Sequence, residues 1–226
     1  MGRISRRNLV ANNTTNHVTW RSHNGTVIFD EEAAAYFLDL LAQYKDQYGI
    51  RIHSFCLMGT HPHVVCTSTL GQPAFSSFWK VVNHRLAVYV NERTNRCGQV
   101  VRDRMRSPTI QPGGRHMLTV MRYVDLNPVR AKLCDGPSHW QFSSFRHYAY
   151  GERHPLIDDA PDYLALAESP AKRRLAYQSF FSSPQQDVML QRRPDLVMKP
   201  FIGSSEWVNN QRASAGLRAE PAAPDD

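Results

Sequence analysis

Two groups of side chains in this sequence are spaced for chemistry on a phosphate. The first is His61-Pro-His63. In an extended segment, residues two apart project from the same face, so both imidazoles stand side by side. Two such ligands plus an oxygen leave coordination positions open, which suits a catalytic Mg2+ or Mn2+ better than a closed structural site. The same pair also fits a solvated strand face without metal, because His-x-His arises often by chance. A four-ligand zinc site drawn from Cys56, His61, His63 and Cys66 requires the strand to bend, since Cys66 falls on the opposite face. Pro62 removes a backbone donor and restricts this point to an edge strand or a strand start.

The second group is Tyr123 and Asn127, four residues apart and so on one face of a helix. A phenol can attack a phosphate, but its ordinary pKa of about 10 means that it needs a nearby cation or base. A divalent ion would polarise the phosphate and stabilise charge on the departing 3′ oxygen, and Asn127 offers that ion an oxygen. Each residue has a structural alternative. Tyr123 can join Leu118, Met121 and Val124 in a core, and Asn127 followed by Pro128 matches a helix N-cap with proline at the first position.

A third feature is Val101-Arg-Asp-Arg-Met-Arg-Ser107. As a strand it places Arg102, Arg104 and Arg106 on one face, where guanidinium groups can bind phosphates two oxygens at a time. The alternative is a solvated outer face. Arg3, Arg6 and Arg7 form a possible basic arm.

Several elements must position these groups. An extended stretch at 17–20 precedes a turn at Asn24-Gly25. Asp30 caps a helix over 33–48 that carries Glu31 and Glu32 in its first turn, with Gly49 just past its end. Strands are expected at 50–58 and 61–68, joined as a hairpin by Gly59-Thr60. A second helix spans 73–93, residues 98–110 read as extended, and a third helix spans 115–126, with Pro128 forcing a cap, kink or restart. This order predicts an α+β domain with an antiparallel sheet. The expected organisation is a basic arm over 1–15, a catalytic domain over 16–135, a helical appendage over 136–208 and a disordered tail over 209–226.

The chain has 27 Lys and Arg against 20 Asp and Glu, a formal charge of +7 that favours a polyanionic partner without separating DNA from RNA or an anionic membrane surface. No apolar run approaches the roughly 20 residues of a membrane helix. The basic N-terminus lacks the apolar core of a secretory signal. Four cysteines without a CxxC pair read as buried thiols of a cytoplasmic protein.

Taken in order, the motifs resemble the HUH single-strand DNA transposases with one catalytic tyrosine, especially the REP-associated tyrosine transposases. The matching pieces are His17-Val-Thr-Trp-Arg21, Phe37-Leu-Asp-Leu-Leu41 with Tyr48-Gly49, and Leu57-Met58 leading into His61-Pro-His63. Arg102-Asp-Arg104, Tyr123-Val-Asp-Leu-Asn-Pro-Val-Arg-Ala131 and Trp140-Gln-Phe-Ser-Ser-Phe145 complete them. The resemblance covers about residues 16 to 150. It implies a ferredoxin-like fold, His61, His63 and Asn127 as ligands of Mg2+ or Mn2+, and Tyr123 as nucleophile. It also implies cleavage of single-stranded, often hairpin-forming DNA through a 5′-phosphotyrosine intermediate, in the bacterial cytoplasm on nucleoid DNA. Arg21, Arg122 and Arg130, within the matched blocks, join the arginine ladder as DNA-binding candidates. Two positions depart from the family pattern: Thr60 replaces an Asn before the first histidine, and Pro62 replaces a bulky apolar residue.

The competing readings are a domesticated DNA-binding protein without chemistry, a replication or mobilisation initiator, and a structural zinc protein. Monomer and homodimer both remain open.

Overall fold

The computed structural model describes residues 5–102, 104–181 and 190–219. Five strands form its sheet: β1 (Thr14–Thr19), β2 (Ile50–Met58), β3 (His61–Ser68), β4 (Thr109–Ile110) and β5 (Phe201–Ile202). Their order across the sheet is β2-β3-β1-β4-β5.

Each face of the sheet carries its own core. Helices α1 (Glu31–Lys45) and α2 (Gly71–Arg93) cover the first face. Asp30 starts α1 as expected, its carboxylate accepting from the Ala33 amide, and Phe37, Leu40 and Leu41 turn inward. They pack with Phe75, Phe78, Trp79, Val82 and Leu86 of α2 over Val18, Val64 and Cys66 of the sheet. Gly49, between α1 and β2, has φ +60, and a Cβ there would lie 2.5 Å from Thr69 Oγ1. Only glycine fits that turn without displacing its neighbour.

The second face is covered by α3 (His116–Asp125), α5 (Phe145–Tyr150), α6 (Pro161–Leu164) and α7 (Pro170–Ser179), whose Met117, Met121, Val124, Tyr148 and Tyr177 enclose Cys56, Val65 and Ile110. A bulge in β2 sets which residues reach which core. The β2–β3 register shifts between Ile52 and Ser54, so Ile50, Ile52, Phe55 and Leu57 all enter the first core despite their change of parity. Cys56 and Met58 consequently turn to the second face, beside His63 and His61 of β3.

Pro62 is the second residue of β3, at the strand start that its missing donor demands. Its neighbour Leu57 directs its own amide to Phe142 O and its carbonyl to Trp140 Nε1. Pairing with β1 ends at the next residue, Thr19 against His63. No ladder bond at Pro62 is therefore lost.

Four details differ from expectation. Residues 136–208, expected as a helical appendage, also supply a strand: β5 pairs in parallel with β4, Phe201 beside Thr109, at the edge of the otherwise antiparallel sheet. The expected tail from 209 contains most of α9 (Ser205–Ser214), which Ser204 caps through the Trp207 amide, while 220–226 lie outside the described residues. Among the described residues of 98–110, bridges form at Val101 and Arg106 and strand pairing at β4, with no longer strand assigned between them. Asn127 is not the N-cap of α4 (Asn127–Arg130); Leu126 is, with Pro128 in the first turn. Of the basic arm, Arg3 lies outside the described residues. Among the described residues no helix is long and apolar enough to cross a membrane.

Candidate active site

The second face of the sheet opens at one end into a cleft of about 550 Å3 between β1, β3, the α3–α4 junction and α8 (Asp195–Met198). His61 and His63 line it because strand alternation puts both on the same face of β3 as Val65, toward α3. Their ring centroids are 5.1 Å apart. Each imidazole is held by its Nδ1: that of His61 lies 2.9 Å from Thr60 Oγ1, and that of His63 lies 2.9 Å from Nε2 of His17 on β1. Burial pushes the pKa of His61 down to about 4, with Arg21 adding to the effect. Burial and the neighbouring His17, His61, Arg130 and Arg21 hold His63 well below the usual range. Both rings are neutral at physiological pH.

Tyr123 reaches the same cleft from α3. Leu118, Met121 and Val124 face the core, whereas Tyr123 is only partly buried and stands beside the histidines, its ring centroid 5.8 Å from that of His63. Burial raises its phenol pKa, and Arg130 opposes that shift.

The break at Leu126 brings Arg130 back over Tyr123. The guanidinium donates to Asn127 Oδ1 at 3.1 Å, while Asn127 Nδ2 donates to the carbonyls of Tyr123 and Val124 at 3.0 and 3.3 Å. The Asn127 amide thus ties the two short helices together and shares its oxygen with Arg130. Two neutral imidazoles side by side fit a divalent ion; the third expected ligand, Asn127, is at the cleft but already hydrogen-bonded. Among the described residues no cluster of three or more His, Cys, Asp or Glu side chains is arranged for a metal. The zinc alternative fails on geometry, since Cys66 belongs to the first core and Cys56 to the second.

The expected basic residues divide into two groups. Arg21, Arg104, Arg106 and Arg130 line the cleft. Arg102 and Arg122 do not, and Arg122 extends to the Phe180 carbonyl instead. The ladder is uneven because its segment is not a strand, and Met105 between two of its arginines is buried.

Sequence reasoning left three participants unassigned. His17 is fully buried behind His63, and its period-two spacing from Thr19 was the available signal. Arg192 and Arg193 complete the basic lining from the far end of the chain. Nothing local in the sequence connects them to a cleft formed by β1 and β3.

No family model matches the chain, and no curated protein matches it. Among solved structures it is similar to a REP-associated tyrosine transposase bound to a REP hairpin. The identity is 17%, the TM-score is 0.56, and the match covers 71% of this chain and 93% of that one. The likeness shows a shared fold: a sheet packed by helices.

Proposed function

We propose that this chain, which folds as a REP-associated tyrosine transposase does, is a metal-dependent single-strand DNA endonuclease and transesterase with Tyr123 as nucleophile. The observation that carries this reading is the lining of one cleft. A phenol, two neutral imidazoles and the guanidinium groups of Arg21, Arg104, Arg106, Arg130, Arg192 and Arg193 share it, and no carboxylate is among its described lining residues. Such a cleft attracts a phosphodiester backbone and repels a basic protein surface.

In the proposed step the Tyr123 Oη–phosphorus bond forms as the bond from phosphorus to the 3′ oxygen breaks. The phenol loses a proton and the departing 3′ oxygen gains one. The products are a 5′-phosphotyrosine and a free 3′ hydroxyl, and attack by a new 3′ hydroxyl reverses the step to rejoin DNA. His61 and His63 would hold Mg2+ or Mn2+ through Nε2, with Asn127 Oδ1 as the candidate third donor. When bound, that ion draws charge from the phosphate and stabilises the leaving oxygen. Arg130 favours the phenolate form of Tyr123, and the remaining arginines hold and orient the strand.

The similar structure carries a REP hairpin, which supports hairpin-containing single strands as the substrate class. A second reading, DNA binding without cleavage, is favoured by one observation: the oxygen of Asn127 is already engaged by Arg130.

The test is to incubate the purified protein with labelled hairpin DNA from repeats flanking its own gene, with Mn2+, and to look for a covalent adduct under denaturing conditions. An adduct lost in both Tyr123→Phe and His61→Ala supports the enzyme. Tight hairpin binding with no adduct under any divalent ion moves the assignment to the binding protein.

A further inference from the structure

The bond between His17 and His63 has a direction that the chain itself dictates. Nδ1 of His17 lies 2.8 Å from the carbonyl oxygen of Leu196, and its Nε2 lies 2.9 Å from Nδ1 of His63. A carbonyl oxygen can only accept, so His17 must carry its proton on Nδ1. His17 has no exposed surface and no carboxylate among these contacts, so a second proton, and with it a full charge, is disfavoured. Its Nε2 is therefore a bare acceptor. His63 must then donate from Nδ1, which leaves its own Nε2 with a free lone pair.

We infer that His17 is a positioning residue that locks His63 in the Nδ1–H tautomer, with the Leu196 carbonyl as the fixed end of the chain. Its role is to hold the Nε2 lone pair of His63 toward the cleft, where the proposed function needs a metal donor; to that extent it rests on that reading. The two rings lie edge to edge and nearly in one plane, with centroids 5.1 Å apart and planes 24° from parallel, the arrangement in which an N–H on one ring points at the in-plane lone pair of the other. Leu196 is itself buried, 2% exposed, on α8. The protonation pattern of a histidine on β3 is thus set by a peptide group contributed from the C-terminal part of the chain.

The proposal also explains why an uncharged histidine occupies the middle of β1. An Asp in its place would accept from His63 equally well but would meet the Leu196 carbonyl with an acceptor. A Lys would donate to both partners and turn His63 to the wrong tautomer. A histidine accepts on one side and donates on the other.

The test reads tautomers in the full-length protein labelled with 15N at histidine, with no metal and no DNA, by long-range proton–nitrogen correlation. The expected wild-type spectrum has His17 and His63 both protonated at Nδ1. His17→Phe should move His63 toward the Nε2–H form and weaken Mn2+ binding by calorimetry about 10- to 100-fold. His17→Gln, whose side-chain oxygen can accept from His63, should keep the Nδ1–H form and recover most of that affinity. A wild-type His63 protonated at Nε2, or a His63 tautomer unchanged in a folded His17→Phe, overturns the proposal. If His17→Phe does not fold, the wild-type spectrum still decides. A wild type with the expected tautomers that binds no Mn2+ sustains the His17 assignment and sinks the metal-dependent function.

Discussion

The guanidinium carbon of Arg130 lies 4.5 Å from the centroid of the Tyr123 ring, and the same group donates to Asn127 Oδ1. Residues seven apart come together because the chain stops one helix at Asp125 and starts another at Asn127. The cation therefore sits over the ring whose ionisation the proposed chemistry requires.

Removing that cation should make the phenol a weaker acid. Burial already raises the Tyr123 pKa, and Arg130 is the largest opposing influence. Arg130→Gln should raise it further and move the pH profile of adduct formation to the alkaline side. One pKa unit corresponds to about tenfold in rate near neutral pH. Ultraviolet titration of the phenol together with the pH–rate profile checks this. A lower rate with no displacement of the profile would reduce Arg130 to a phosphate contact.

Asn127 should matter to stability before it matters to any ion. Its amide donates to the Tyr123 and Val124 carbonyls, and its oxygen receives Arg130. Asn127→Ala removes all three hydrogen bonds at the junction of the two helices, so a loss of about 1–3 kcal/mol is expected in urea unfolding without divalent ions. An unchanged midpoint would mean that the residue is kept for coordination alone.

Much of the fold was legible because local patterns were strong. The hairpin around Gly59-Thr60, the Asp30 cap and the period of the Phe75–Leu86 helix each follow from spacing that neighbours reinforce. The site was legible in its parts, His61, His63 and Tyr123, because each sits on an element with a clear face. What was hidden depends on contacts distant in sequence. The seating of β5 against β4 rests on two residues per strand, too short for any periodic signal. The bulge at His53, which turns Cys56 toward the histidine face, is stabilised by Asp158 O and Thr67 Oγ1 at either end of the His53 ring. Arg102 read as equivalent to Arg104 only while their segment was taken for a strand.

That difference among the arginines is measurable. Arg104 and Arg106 line the cleft, and Arg102 and Arg122 lie outside its lining. Removing a true phosphate contact to a single strand reduces the slope of log K against log salt by about 0.7. Arg104→Ala and Arg106→Ala should each show that change in hairpin binding measured across a salt series, and Arg102→Ala and Arg122→Ala should not. Equal slopes for all four variants would place the strand elsewhere on the surface.

Asp125, two residues from the nucleophile, should govern how stability depends on pH. Its carboxylate is fully buried, accepts from Tyr177 Oη at 2.6 Å and from Ser144 Oγ at 3.4 Å, and has its pKa pushed by burial from 3.8 to about 7. A group whose pKa rises on folding stabilises the protein when protonated. That contribution is complete below about pH 4 and disappears as the pH climbs to 7. His17 and His61 run the other way: burial lowers both from 6.5 to about 4, so their contribution is complete above 6.5 and disappears as the pH falls to 4. The opposed slopes overlap and partly cancel in the wild type. Asp125→Asn keeps an acceptor for Tyr177 and cannot ionise, so Asp125 no longer offsets the histidine slope. Its melting temperature should climb from pH 4.5 to 6.5 more steeply than that of the wild type, and at pH 8 should equal or exceed it. Parallel curves for the two proteins across that range would show that Asp125 folds with the same proton affinity it has in the unfolded chain.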